Sequence, residues 1–299
     1  MPRGVKVLVI CVSIRSVLAR SMRLPLPALV LVFAVAFSGA HAQTLVYSGF
    51  GNGNTAGLQL NDASVQPSGS ILLASSASDR RGSFFTSNQF SVTGGFSAVF
   101  DFRISSPGGV NDGTAAGADG LAFVVQRAGA TALGGSGEGL GYGPRGGSAG
   151  ISPSVAVEFD TFRNTWDPSS NHIGINTGGN LTSLASVSVA QAFDSGLKWT
   201  VWVDYNGSVL EVRANTSGVR PVTADLSHTV NLLSTLGGTT AFIGFTGSTG
   251  QAFGTHEVLG FAFSDTYLAG GIAAVPEPST VALLGLGLAA VAFSLRRRR

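Results

Sequence analysis

Between Thr44 and about Tyr267 the chain delivers one short run after another with the two-residue period of a strand. FSAVFDFRI (Phe96 to Ile104) alternates apolar and polar positions. GLAFVVQ (Gly120 to Gln126), SVAVEFDTF (Ser154 to Phe162), WTVWVDY (Trp199 to Tyr205), VLEVRA (Val209 to Ala214), AFIGFTGS (Ala241 to Ser248) and LGFAFSD (Leu259 to Asp265) follow. Each is rich in β-branched or aromatic residues and is bounded by Gly, Asn, Ser or Pro. In DYNGSVLEV, Asn206-Gly207 between two runs predicts a hairpin with a type I′ turn. DLSHTVNLLSTLGG holds a short turn at most. Sheets without intervening helices must cover one another. The predicted fold is therefore all-β, a sandwich of the jelly-roll kind, in one domain over residues 43–270.

The two ends have a different character. Arg20 and Arg23 precede an apolar run from Leu24 to Phe37, and Ala40-His41-Ala42 supplies small residues at a cleavage site. Residues 1–42 thus read as a signal peptide with an apolar helix, Gln43 as the mature start and Met22 as an alternative initiator. The run is shorter than the ~20 residues that span a bilayer. At the other end Pro276-Glu277-Pro278 leads into an apolar run, Thr280 to Leu295, and then into Arg296, Arg297, Arg298 and Arg299. A basic cluster after a hydrophobic segment stays on the cytoplasmic side, so residues 271–299 read as a terminal unit of Pro-Glu-Pro motif, transmembrane helix and basic stop. This order closely resembles the PEP-CTERM sorting tail of Gram-negative bacteria. The resemblance implies an exosortase-type enzyme that recognises and removes the tail. It also implies passage across the inner membrane, transient anchoring, and a final place at the cell surface or outside it, near exopolysaccharide. An ordinary C-terminal anchor is the alternative.

The ends also distort the charge. The whole chain is +2, but from Gln43 to Val275 nine Lys/Arg face fifteen Asp/Glu, a net of about −6. An acidic domain argues against nucleic acid as a partner. The single Cys, Cys11, precedes the mature start, which excludes disulfide and thiol chemistry from the exported part.

In a chain with only 11% charged residues, VEFDTFRNTWDPSSNHIGI (Val157 to Ile175) is unusually dense in them. On a strand, Glu158, Asp160 and Phe162 share one face. Asn164, Asp167-Pro168 and Ser169-Ser170 then turn the chain, and His172 opens a new strand. Two adjacent strands can thus converge Glu158, Asp160, Asn164, Asp167 and His172. Three bare carboxylates would repel, and a divalent cation removes that cost. Oxygen ligands suit Ca²⁺, and the His suits a transition metal such as Mn²⁺ beside it. The alternative is a polar turn with local hydrogen bonds only. The Gly-rich ALGGSGEGLGYGPRGGSAG (Ala132 to Gly150) reads either as a connector or as backbone that approaches a ligand closely. It lacks the Gly-Lys-Ser/Thr of a phosphate cradle.

The pattern VEFDTFxN…WDP…HIGI is similar to the metal motif of the legume, or L-type, lectins. GADGLAFVVQ, GEGLGYG and AFIGFTGSTGQAFGTHEVLGFAFS resemble three further segments of that family in the same order. The resemblance implies a concanavalin-like jelly roll that binds carbohydrate and is not an enzyme. It implies that Asp160 and Asp167 bridge two metals. Glu158 and His172 would complete a Mn²⁺ site, and the Phe162 carbonyl with Asn164 a Ca²⁺ site. Asp119, preceded by a cis peptide, would accept from sugar hydroxyls alongside Asn164, and the Gly139 N–H would donate to one. Phe162 would pack on the pyranose ring, and Gln251 and Ala252 would tune which sugar fits. Asn176 stands where the family motif has Asp, which favours Ca²⁺ over Mn²⁺ as the occupied site. His228 and His256 read as ordinary structural histidines. Homo-oligomers of the edge-to-edge kind seen in plant members are left open, as is the identity of the sugar.

Two other functions fit parts of the sequence. A sandwich glycoside hydrolase often carries Glu-x-Asp-x-x-Glu, but EFDTFR places Arg163 where the second Glu would stand. A matrix or adhesin component with this fold and no sugar binding is the second.

Overall fold

The structure, a computed structural model, describes residues 42–113 and 117–274. The expected signal peptide, apart from its last residue, and the tail from Val275 onward, including Pro276 to Pro278 and the arginine cluster, lie outside the described residues. In chain order the strands are β1 (Thr44–Tyr47), β2 (Leu58–Asn61), β3 (Ser64–Val65), β4 (Ile71–Ala74), β5 (Arg81–Thr86), β6 (Phe90–Ser91), β7 (Phe96–Gly109) and β8 (Gly120–Gln126). They continue with β9 (Ser154–Asp160), β10 (His172–Thr177), β11 (Ala185–Ser188), β12 (Lys198–Tyr205), β13 (Val209–Asn215) and β14 (Leu226–Thr229). A five-residue helix, α1 (Leu232–Leu236), precedes β15 (Thr240–Ser248) and β16 (Ala252–Ser264). Among the described residues no helix is long and apolar enough to cross a membrane.

The strands form two antiparallel sheets. The back sheet runs β14-β13-β12-β7-β16-β4-β3, with β1 also on β16. The front sheet runs β11-β10-β9-β8-β15-β5-β2, with β6 also on β15. Phenylalanines join them. Phe100 of β7 lies 4.8 Å, ring centre to ring centre, from Phe245 of β15, 5.7 Å from Phe123 of β8 and 5.8 Å from Phe159 of β9. All four are buried. A large apolar side chain buried completely contributes about 1.5–3 kcal/mol, so this aromatic seam is a large part of what holds the sheets together.

Strands β8 and β9 are buried at every residue, which is why they read as nearly continuous apolar runs. Leu121, Phe123, Val155, Val157 and Phe159 face the core between the sheets. On the opposite face Ala122, Val124 and Ala156 meet Leu140, Tyr142 and Ile151 of the Gly-rich segment. That segment is therefore a fitted cover. Tyr142 Oη lies 2.9 Å from Ser154 Oγ and accepts from the Gly179 N–H at 3.0 Å.

The Asn206-Gly207 hairpin forms, but with a different turn. Gly207 has φ +95°, whereas Asn206 stays outside the left-handed region that a type I′ turn requires at both central residues. The Asn206 side chain decides it, because its Oδ1 accepts from the N–H groups of Ser208 and Val209 at 3.0 and 2.9 Å. Beyond β16 the chain stays on the back sheet to the end of the described residues. Trp202 Nε1 donates to the Ile272 carbonyl at 3.0 Å, and Ile272 and Ala274 pack against Val99, Trp202 and Ala262.

Candidate functional site

Four strand ends meet at one edge of the front sheet. Gly120, which opens β8, pairs with Asp160, which closes β9. His172, which opens β10, pairs with the same Asp160, and Ser248 at the end of β15 pairs with Gly120. Residues opposite one another share a face, so Glu158, Asp160 and His172 project to the side away from the core. Gly174 faces Glu158 in that register, and a Cβ at Gly174 would stand 2.2 Å from Glu158 Oε1. The glycine makes room for the carboxylate.

Ligating atoms of Asp160, Asp167 and His172 all lie within 4.8 Å of one another. The His172 ring is fully buried, and its Nδ1–H donates to the Ser169 carbonyl at 3.1 Å. That bond commits Nδ1 as a donor and leaves Nε2 facing the acids, 3.4 Å from Glu158 Oε1 and 3.9 Å from Asp167 Oδ1. No hydrogen bond satisfies Nε2. Burial, then Asp167 and Glu158, push the Asp160 carboxyl well above the usual range, and burial also raises Asp167. An unsatisfied imidazole nitrogen beside buried carboxylates that resist ionisation is the donor set of a cation site, and these residues fit one. Glu158 borders it with both oxygens engaged, Oε2 by Asn176 Nδ2 at 3.0 Å and Oε1 by Ser183 Oγ at 2.5 Å. Asn176 thus clamps Glu158 from the position where the motif would carry Asp. The loop between the strands closes on the same acids. The Phe162 N–H donates to Asp160 Oδ1 at 2.8 Å and the Asn164 N–H to Asp167 Oδ2 at 2.6 Å.

Beside this corner lies a cleft of about 150 Å³ bordered by Val110, Asp119, Glu138, Arg145, Phe162, Asn164, Gly250, Gln251 and Ala252. Asp119 follows a cis peptide, Ala118–Asp119. Its backbone is tied between two strands, with N–H to the Ser248 carbonyl at 3.1 Å and C=O from the Thr161 N–H at 3.0 Å. The residue is 5% exposed, and Oδ2 has no partner. Burial drives this carboxyl up to about 8, opposed by Arg145 and reinforced by Glu138.

Of the residues expected from the sequence, Asp119, Phe162, Asn164, Gln251 and Ala252 all border the cleft. Gly139 does not. Its N–H donates to the Ser136 carbonyl at 3.0 Å, so the expectation of a free donor there is corrected. The tight turn Gly137–Gly139 consumes that N–H and brings Glu138 to the cleft instead. Glu138 and Arg145 were missed, although two charges inside an otherwise neutral Gly-rich stretch are a signal. His256 is completely buried on β16, away from any carboxylate that satisfies it, and both of its nitrogens lack partners.

Residues 42–276 match the legume lectin domain, and residues 274–299 match the PEP-CTERM protein-sorting motif. The chain belongs to the legume lectin domain family. A seed lectin of Vatairea macrocarpa is 36% identical over 118 residues, 38% of this chain and 47% of that protein. A probable L-type lectin-domain containing receptor kinase VII.2 of Arabidopsis thaliana is 35% identical over 126 residues, 37% of this chain and only 18% of the kinase. The match thus spans less than half of either relative. Among solved structures, winged bean acidic lectin complexed with methyl-α-D-galactose is 25% identical with a TM-score of 0.63, covering 75% of this chain and 98% of that one. The jelly-roll sandwich expected from the sequence is the fold of this family, and carbohydrate-binding lectins are among its relatives.

Proposed function

We propose that this lectin domain is an exported protein that binds saccharide in the Asp119 cleft with the help of Ca²⁺. The observation that carries the reading is the Asp119 carboxyl, buried and with Oδ2 unpartnered at the head of a cleft whose neighbouring wall is a cation-type donor set. A buried acceptor without a partner is costly, and a sugar hydroxyl is the kind of donor that would satisfy it. Asp160 and Asp167 would hold Ca²⁺ together with Asn164 and the Phe162 carbonyl. His172, with Glu158 beside it, would hold Mn²⁺. The cation would fix Asn164 and Phe162 against the cleft, and Phe162 would offer an apolar surface to the pyranose ring. Gln251 and Ala252 would shape the opposite rim.

For export, residues 1–42 would be removed as a signal peptide, leaving the lectin domain of 43–270. The tail of 271–299 would present Pro276-Glu277-Pro278, the apolar segment and Arg296 to Arg299 to an exosortase-type enzyme. Glycans or exopolysaccharide near the cell surface are the expected partners.

The test is a glycan array with wild type and Asp119→Ala, each with calcium and with chelator. Calcium-dependent signal that disappears in Asp119→Ala supports the reading. Equal signal from both proteins removes Asp119 from the site, and no signal on any glycan favours a matrix component without sugar binding. Reducing sugar released from the same glycans would point to hydrolysis.

A further inference from the structure

The cleft carries charge for which the hydroxyl-binding reading has no use. Glu138 reaches it from the turn Gly137–Gly139, and its Oε2 accepts from Arg145 Nε at 2.9 Å. Arg145 Nη1 in turn donates to Asp79 Oδ1 at 3.1 Å and to Ser136 Oγ at 3.2 Å. Two glycines clear the space between this clamp and Asp119. A Cβ at Gly137, whose φ is +57°, would stand 2.2 Å from Arg145 Nη1. One at Gly250 would stand 3.2 Å from both Asp119 Oδ2 and the Gly137 Cα, and 3.7 Å from Arg145 Nη1. The unsatisfied Asp119 oxygen, the guanidinium and the Glu138 carboxylate therefore border one lane.

The balance of charge along that lane is negative. The guanidinium is already shared by two carboxylates, Glu138 through Nε and Asp79 through Nη1, so its charge is offset before a ligand arrives. Asp119, 5% exposed and without a partner for Oδ2, adds a third acidic group, one that burial keeps protonated until about pH 8, so at neutral pH the balance rests on Glu138 and Asp79 against Arg145. Ca²⁺ and Mn²⁺ on the far wall would bring four positive charges against three from Asp160, Asp167 and Glu158, so the negative balance is local to the Glu138–Arg145 side of the cleft. Resting on the saccharide-binding reading above, we propose that the cleft sorts saccharides by charge. It accepts neutral hexoses and hexosamines with a free amine and rejects uronates. Glu138 is the specificity-determining residue, and Arg145 is the positioning residue that aims it. A uronate carboxylate would meet like charge where water is partly excluded, whereas an ammonium would be attracted there. Rejection by a repulsive group suits a protein working among mixed polysaccharides, because hydroxyl contacts alone discriminate weakly between a hexose and its uronate.

The experiment is calorimetry on the full chain with calcium, using the methyl glycosides of galactose, galactosamine and galacturonic acid and of their three gluco counterparts. In the better-bound series the uronide is expected to bind at least about tenfold more weakly than the neutral glycoside, and the amine at least as tightly as the neutral one. Glu138→Gln should cut the neutral-to-uronide ratio by about threefold or more. In wild type the same ratio should shrink as salt is raised, a reading that needs no variant. Equal affinity for uronide and neutral glycoside overturns the proposal and leaves the saccharide reading standing, as does a ratio insensitive to both salt and Glu138→Gln. Binding of none of the six glycosides overturns the proposal, and the same result with no signal on any glycan of the array overturns the saccharide reading itself.

Discussion

The cleft has two walls, and they are finished by different means. The Gly-rich wall, Gly134 to Ile151, completes itself. Gly134 N–H donates to the Gly141 carbonyl at 2.6 Å, Gly135 to Gly143 at 2.7 Å and Ile151 to Tyr142 at 2.8 Å, and Leu140, Tyr142 and Ile151 bury themselves on the sheet. Its charged residues pair with each other. The wall from Asp160 to His172 does not complete itself. It gathers acids whose ionisation burial opposes, with the backbone N–H groups of Phe162 and Asn164 as partial compensation. One wall is covered by apolar surface that the chain supplies, and the other has the donors but lacks the charge to balance them. On the proposed reading, the contrast puts the dependence on a cation in one wall alone.

Removing Asp160 should divide the walls most sharply. Asp160→Ala is expected to lose calcium binding. Saturating calcium at a hundred times its dissociation constant stabilises a protein by about 2.7 kcal/mol. For a domain of this size that corresponds to roughly 5–10 °C in Tm, present in wild type and missing in the variant. In chelator the order should reverse or close, because the variant carries one buried carboxylate fewer. Hydrogen exchange should show lost protection at 160–172 and retained protection at 134–151. Equal loss on both walls would break the contrast.

Asp119→Asn tests the floor between the walls. Above pH 8, where the Asp119 carboxyl ionises, a hydrogen bond to it contributes about 1.5–3 kcal/mol, so saccharide affinity should there fall ten- to a hundred-fold while calcium uptake persists. Gly174→Ala acts behind the acidic wall. Its Cβ would stand 2.2 Å from Glu158 Oε1 and 2.4 Å from Ser183 Oγ, and the overpacking should cost about 1–3 kcal/mol and weaken Mn²⁺ more than Ca²⁺.

The smallest effect belongs to His256, a buried histidine that touches neither wall. Burial lowers its pKa to about 3 from 6.5. The native state refuses the proton that the unfolded chain accepts. Its contribution to stability is therefore complete above pH 6.5 and is lost as pH falls toward 3. The loss is about 1.4 kcal/mol by pH 5.5, and His256→Phe should flatten that slope in denaturant titrations.

Most of this architecture was legible in the sequence, because strand period, turn residues and the absence of helical spacing all point the same way. The strands that went unread are β1 to β6, β11 and β14; all but β5 are two to four residues long, too short for a period to show, and β5 (Arg81–Thr86), buried between β15 and β2, carries no apolar–polar alternation in RGSFFT. The acidic corner was legible because Glu158, Asp160 and His172 sit at fixed positions on paired strands. The Gly-rich wall was not, since which N–H in GEGLGYG stays free depends on the tight turn at Gly137–Gly139, and local composition does not encode it. Glu138 and Arg145 take their meaning only from Asp79 and Asp119, which are distant in sequence.

The central claim is that a cation at the Asp160–Asp167–His172 corner makes the Asp119 cleft competent for saccharide. The direct measurement is calorimetric titration of the full chain with the glycan that binds best on the array, as prepared, after chelation, and after calcium is restored. Binding that vanishes with chelator and returns with calcium is the predicted result. Equal affinity in all three states would contradict it.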